Sequence, residues 1–549
     1  MRESTVSAAA PRKSLTARDR VLLAALSLAV LLPGIFGVSL ADRDEGWYAQ
    51  VSREMLQTGD WLIPRYLGEP WIAKPPLLYW CVAASFAVFG VHAWAARLVS
   101  VLAMAGAVQL VASLGLALGN RRVAWLAAAS FITAGLPVVI GKMVLTDALL
   151  LVCCLGAMLL LWRIATQGTD LARSIGFWLL VGLAILAKGP AVLVFVGAFA
   201  LALLIPRPPA GRIGGPQFWL TGPVCLAVAA PWYIHVGYRV GGTFWQQFVG
   251  FEIASRLVGT PHGHGGPPGY YLLLSLAGWL PWTVLVPGAV FAAWHARRED
   301  RIARLLLIWC GLPWLLLELI PSKLPHYILP CYVPLAIMFG RMWDSGLQRT
   351  VSRRELGVLG VWVAVMTICG VALIGVAGAW HQVSWGVAGT ALVLGFVVAA
   401  RLVRQRRLLA TWSSALGATV VLHLVVGLWA LPGLERYRLS RQIAEQANEL
   451  CGPTTEVLAC GYTEPTVFFY LRRPARVVGP DEIRRAASDA SAARVLIVRD
   501  AEARAAGLTP AAEGSHRLEG FSLANMRHEE VWVLSGRTSG QAGAGSRTR

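Results

Sequence analysis

The chain has 549 residues, of which 56% are hydrophobic and only 14% charged, and its formal net charge is +19. A soluble protein of this size would carry about a quarter charged residues, so a water-soluble globular fold is excluded. The basic excess does not mark a nucleic-acid binder, because the arginines sit in short segments between apolar runs and no basic stretch is interleaved with aromatics.

Residues 1–20, with "PRKSLTARDR", form a basic tail that the positive-inside rule assigns to the cytoplasm. The first apolar run has no small-residue cleavage site and leads straight into "DRDE", so it reads as a retained span. Further runs of roughly 16–24 residues recur to about residue 431, each long enough for a bilayer. Basic clusters at Arg121–Arg122, Arg163 to Arg173, Arg207 to Arg212, Arg297 to Arg304, Arg341 to Arg354 and Arg401 to Arg407 belong on the cytoplasmic side. That constraint is met if residues 75–91, opening "KPPLLYW", lie along the interface and do not cross. The crossings are then 21–40, 98–118, 123–141, 146–162, 175–187, 190–206, 217–236, 270–294, 305–320, 326–340, 356–378, 382–400 and 409–431. The expected fold class is an all-α polytopic membrane protein of about 13 transmembrane helices, with juxtamembrane helices in the first outer loop.

After residue 431 the character changes. "SRQIAEQANEL" and "PDEIRRAASDA" read as helices, and "EVLACGY", "ARVVGP" and "ARVLIVRD" as strands of a small C-terminal α/β domain. The Gly/Ser-rich basic tail "SGRTSGQAGAGSRTR" reads as disordered. The expected division is a cytoplasmic tail 1–20, a transmembrane domain 21–431 with 41–97 as the first periplasmic loop, a periplasmic domain 432–535 and a tail 536–549. Seven of the nine cysteines lie in apolar runs. Cys451 and Cys460 lie outside them and are candidates for a disulfide if this region is extracytoplasmic.

This topology collects polar residues on the outer side. They are Asp44, Glu45 and Tyr48 in "DRDEGWY", Lys74 before "PP", Asp147 in "GKMVLTD", Lys188 in "AKGP", Glu252 and Arg256 in "WQQFVGFEIASRLVG", and Lys323, His326 and Tyr327 in "PSKLPHYILP". Cations outside run against the positive-inside trend, and an anionic group held at the outer leaflet gives them a purpose. The acids are suited to accept a proton from an incoming hydroxyl or amine. Each residue also has an ordinary alternative: a loop acid at Asp44, a helix N-cap at Asp147, and snorkelling at Lys74 or Lys188. His262 and His264 in "PHGHGG" lack the neighbouring Cys or paired acids that a metal site needs.

In order along the chain, "DRDEGWYAQVSREMLQTGDWLIPRYLGEPWIAKPPLLYW", "GKMVLTDALL", "LAKGP", "FWQQFVGFEIASRL", "PPGYYLLLSLAGWLPW" and "SKLPHYILPC" resemble the aminoarabinose transferases, part of the wider protein-mannosyltransferase-like GT-C superfamily. The resemblance covers roughly residues 20–340. It implies an integral-membrane, inverting glycosyltransferase of the inner membrane. Such an enzyme takes a sugar from a polyprenyl-phosphate donor and transfers it, on the periplasmic side, to a lipid, glycan or protein acceptor. It implies catalytic roles for Asp44 and Asp147 and donor-phosphate roles for Lys74, Arg256, Lys323 and Tyr327. Glu45, Tyr48, Lys188, Glu252 and His326 are candidate substrate contacts. No cofactor or metal ligand is expected, and no nucleic-acid partner. Two positions depart from the family pattern: Trp47 stands where an Arg is common, and Ala73 where a Glu is common. The competing reading is a transporter or lipid flippase. Against it, the two halves show no matching broken helices, and the acids fall at span ends and not mid-span.

Overall fold

The computed structural model describes residues 14–205, 215–260, 263–348, 350, 352–489, 493–508, 515–522 and 527–536. Most of the N-terminal tail, the Arg207–Arg212 cluster, His262 and the C-terminal tail from 537 lie outside the described residues. The chain divides into two compact units. The first comprises residues 1–36, 72–78 and 97–430; the second comprises 37–71, 79–96 and 431–549.

The first unit is helical. Among the described residues, eight helices are long and apolar enough to cross a membrane, or nine if Arg121–Thr133 and Gly135–Lys142, bent by 63°, form one span. The expected count of about 13 is higher, and the difference has identifiable causes. The helix Ala17–Leu31 has 15 residues and Ala191–Leu204 has 14, about 22 Å of helix against a hydrocarbon core of about 30 Å. The apolar run 270–294 is split into helices Tyr270–Gly278 and Val286–Ala296, around Pro281, which has no N–H to continue the ladder. The run 326–340 starts in a 3-10 segment, Pro325–Cys331, before the helix Tyr332–Leu347. Every residue from Tyr332 to Gly340 is buried, so this helix is surrounded by its neighbours. The helices Arg353–Trp380 and Val383–Arg404 approach backbone to backbone at Gly370 and Gly389, where a Cβ would collide.

The second unit holds the helix Asp44–Thr58, a two-residue hairpin (β1, Arg65–Tyr66; β2, Glu69–Pro70) and a five-stranded sheet. The hairpin turn, Leu67–Gly68, has positive φ at both positions, as a tight hairpin turn requires. Both turn amides donate to the Glu54 carboxylate. The sheet comprises β3 (Glu456–Cys460), β4 (Ala475–Val477), β5 (Arg494–Arg499), β6 (His516–Ser522) and β7 (Arg527–Gly536), in the order β4-β3-β5-β7-β6. β4, β3 and β5 run parallel, whereas β7 is antiparallel to both β5 and β6.

Strand alternation gives this sheet two apolar faces. Val457, Ala459, Val495 and Ile497 pack with Ile443 and Ala447 of the helix Leu439–Leu450. Leu458, Cys460, Leu496 and Val498 pack with Ile483 and Ala486 of the helix Pro480–Ser488. The predicted helices and three predicted strands are present, while the β6–β7 hairpin was not foreseen. Cys451 and Cys460 are free thiols. They serve opposite faces of the sheet, Cys460 in the second core and Cys451 beside the first, so the disulfide considered from sequence is corrected.

Candidate active site

In the first unit, six of the predicted residues line one cavity of about 310 Å³: Lys74, Asp147, Lys188, Glu252, Arg256 and Tyr327. Each is delivered by a break in helical structure. Lys74 precedes Pro75 and Pro76, just ahead of the helix Leu77–Phe89. Asp147 is the second residue of the helix Thr146–Gln167, where the helix dipole favours a carboxylate. Lys188 is the last residue of the helix Leu171–Lys188, where the dipole favours a cation. Glu252 lies in a π-helical stretch, Gln246–Ala254, and Arg256 follows one turn later. Tyr327 is held in the 3-10 segment.

The charges are arranged in two linked clusters. Glu252 Oε2 accepts from Lys74 Nζ and from Arg256 Nη2, each at 2.7 Å. Arg256 Nη1 donates to the Tyr327 hydroxyl at 2.7 Å. Lys188 Nζ donates to Asp147 Oδ1 at 2.6 Å and stands 4.5 Å from the centre of the Tyr327 ring. The N-cap position of the helix Thr146–Gln167 is Leu145 and not Asp147, so the capping alternative is set aside. Asp147 Oδ2 is buried without a hydrogen-bond partner and lies 3.8 Å from His326 Nε2.

Three cations therefore face two carboxylates, a surplus of one positive charge in a largely desolvated recess. Burial pushes the Lys74 ammonium below its ordinary pKa, against the opposing pull of Glu252. The rest of the wall is apolar, including Leu150, Val194, Phe195, Phe248 and Leu317. These residues were not singled out from sequence, because they look like any other span residues. A larger cavity of about 460 Å³, lined by Phe291, Trp343 and Leu408, contains none of the predicted site residues.

Lys323 is placed differently from its neighbours in sequence. Its side chain is 2% exposed, and Nζ donates to the carbonyls of Glu318 and Ile320 at 2.7 and 2.8 Å. It closes the C-terminal end of the helix Arg301–Leu319 and does not line the cavity. Lys323→Ala should lower the unfolding free energy by about 1–3 kcal/mol, which thermal unfolding of the purified protein checks. Glu318 accepts from the amides of Gly269 and Tyr271, a second anchor that sequence reading missed.

Asp44, Glu45 and Tyr48 belong to the second unit. Asp44 opens the helix Asp44–Thr58. Glu45 is buried and folds back to accept from the Ala41 amide at 2.8 Å. Tyr48 is buried with its ring 5.9 Å from that of Tyr79. Trp47 packs on Trp71 at 5.3 Å between ring centres. Among the described residues, no group of three or more His, Cys, Asp and Glu is placed to hold a metal ion.

Residues 26–237 match the family described as dolichyl-phosphate-mannose-protein mannosyltransferase. Among curated proteins, the undecaprenyl phosphate-alpha-4-amino-4-deoxy-L-arabinose arabinosyl transferase of Erwinia tasmaniensis is 35% identical over 303 residues, 54% of each chain. The Pseudomonas aeruginosa protein of the same name is 31% identical over 450 residues, 79% of each chain. In the Erwinia, Pectobacterium carotovorum and Enterobacter relatives, the match spans 54%, 61% and 65% of the relative's length. The crystal structure of ArnT from Cupriavidus metallidurans bound to undecaprenyl phosphate superposes with a TM-score of 0.77 at 22% identity, covering 94% of this chain and 98% of that one, and so shares its fold. With this fold and the extended match to the Pseudomonas protein, the chain belongs to the aminoarabinose transferase family within the GT-C superfamily.

Proposed function

We propose that this protein is a membrane glycosyltransferase that takes a sugar from an undecaprenyl-phosphate-type donor and inverts the anomeric carbon during transfer to a lipid, glycan or protein acceptor. The observation that carries this reading is the cavity in which Lys74, Arg256 and Lys188 stand against an apolar wall. A prenyl-phosphate-linked sugar has the matching chemistry: a hydrocarbon tail and a phosphodiester with one negative charge.

Asp44 is the general base that draws the proton from the acceptor nucleophile. The nucleophile attacks the anomeric carbon, the bond to the phosphate oxygen breaks, and prenyl phosphate leaves. Lys74 and Arg256 stabilise the negative charge that grows on that oxygen, so the leaving group needs no general acid. Lys188 holds Asp147 at the cavity wall, and Tyr327 holds Arg256 in place. Lys323 is assigned to the scaffold. The chain crosses the bilayer thirteen times, with the short and broken helices completing crossings. The N-terminus is cytoplasmic, and residues 41–97 and the α/β region lie on the outer side.

Purified protein in sealed vesicles should transfer sugar from an undecaprenyl-phosphate-linked donor without an ion gradient, with product read by mass spectrometry. Lipid movement without a new glycosidic bond would favour the flippase reading. Transfer should also carry an alkaline limb. Only the ammonium form of Lys74 binds phosphate, and burial lowers its pKa. Donor affinity therefore falls as pH rises, starting below the ordinary lysine value of about 10.4. Lys74→Arg, charged throughout that range, should flatten the limb.

A further inference from the structure

The second unit contains one set of contacts that the reaction scheme has not used. Residues 39–42, just ahead of Asp44, are held by side chains of the C-terminal α/β region, in addition to the local bond from the Ala41 amide to Glu45. The Ser39 amide donates to Glu435 Oε2 at 3.0 Å, and the Leu40 amide donates to the Tyr470 hydroxyl at 2.9 Å. The Thr466 hydroxyl donates to the Ala41 carbonyl at 3.2 Å. The Ser440 hydroxyl donates to Asp42 Oδ1 at 2.6 Å and lies 2.8 Å from the Tyr462 hydroxyl. Ser440 has a single proton, and it is spent on Asp42, so Tyr462 is the donor in that second contact. Ser440, Tyr462 and Thr466 are all at most 3% exposed.

The next residue shows why such a hold is needed. Arg43 sits at φ 65°, ψ −106°, a conformation that L-residues avoid and that persists only when the surroundings enforce it. It turns the chain abruptly into the helix that Asp44 opens. On the far side of the turn, Gly46 lies against residue 466 so closely that a Cβ would be 2.7 Å from the Thr466 amide nitrogen and Oγ1. Further along the same helix, Arg53 Nη1 donates to the carbonyls of Phe469 and Leu471, each at 2.9 Å. The helix is thus fixed at its entry and again two turns later.

We infer that the C-terminal α/β region works as a positioning clamp for the first-loop acid, with Ser440, Thr466 and Tyr470 as positioning residues that hold the strained turn from which Asp44 is presented. The inference rests on the reading of Asp44 as the base. It gives the α/β region a part in the reaction that does not require its side chains to touch the reacting atoms. Ser440 acts through Asp42, and Thr466 acts through the Ala41 carbonyl and the close approach of Gly46.

The test uses the full-length protein and two readouts. The first is amide hydrogen exchange over residues 38–47 in purified protein. The second is the envelope-lipid mass species that the wild-type gene restores to a deletion strain. Ser440→Ala and Thr466→Val should each speed exchange in that segment about tenfold and lower the restored product by a similar factor. Exchange around residues 147 and 252 should stay as in wild type. Ser440→Thr keeps the hydroxyl and should rescue both readouts. Asp44→Asn should lose the product while the segment keeps its protection, which separates the clamp from the base. Unchanged exchange in Ser440→Ala and Thr466→Val, or looser exchange with full product, overturns the clamp. Full product from Asp44→Asn overturns the reading of Asp44 instead.

Discussion

Asp44→Asn is expected to cut sugar transfer by about a thousandfold, within the range that loss of a general base commonly costs. The amide is nearly isosteric with the acid and is equally tolerated at the start of a helix, so the Asp44–Thr58 helix should persist. What is lost is the ability to take a proton. The substitution leaves the cavity cations themselves unchanged, so undecaprenyl phosphate should bind as tightly as before. Asp147→Asn should be milder, about tenfold, because its Oδ1 serves Lys188 and its main contribution is to the wall's charge balance. Single-turnover transfer in vesicles, run beside lipid titration, distinguishes the two. Wild-type rates in Asp44→Asn would remove that residue from the chemistry.

Lys74→Ala should raise the dissociation constant for undecaprenyl phosphate about a hundredfold, equivalent to about 2.7 kcal/mol. The size of the effect follows from sharing. Glu252 Oε2 is neutralised by both Lys74 and Arg256. Without Lys74, the remaining guanidinium must satisfy that carboxylate and the incoming phosphate together, and the surplus positive charge of the cavity vanishes. Lys74→Arg should retain most of the affinity, since charge outweighs shape for a single phosphate oxygen. Titration of detergent-solubilised protein with undecaprenyl phosphate checks the pair. An alanine variant binding like wild type would place the phosphate elsewhere.

The features legible in the sequence were those with a strong local signature. Long apolar runs point to the membrane class, and cations that the charge pattern assigns to the outer side, against the topological trend, single out Lys74, Lys188 and Arg256, which share a cavity with Asp147. Spacing and composition were less able to show where a helix stops. Hydropathy cannot see the breaks at Thr133 and Gly135 or around Pro281, because the residues on both sides remain apolar. Lys323 shows a second limit. Its motif is the same whether the ammonium points into a cavity or turns back onto the carbonyls of Glu318 and Ile320, and only the fold distinguishes them. Asp42 carries no local signal that separates it from an ordinary loop acid. Its partner Ser440 lies 398 positions away, and no local pattern announces that pairing. The β6–β7 hairpin did carry an alternating signal in "EVWVL", with Val531 and Val533 buried in one face of the sheet.

The bond between Glu252 and its two cations also bears on how fast the enzyme can be emptied. A bare pocket of lysine and arginine would hold a lipid phosphate tenaciously, and the spent carrier left after transfer is itself such a phosphate. Here a carboxylate tethered one helical turn from Arg256 competes for the same donors at 2.7 Å. A carrier phosphate that takes these donors would have to displace it, and its return on release would keep either cation from being left uncompensated in a desolvated wall. Ground-state binding would then be weaker than the charges alone allow, and energy not spent on holding the lipid would not oppose its release.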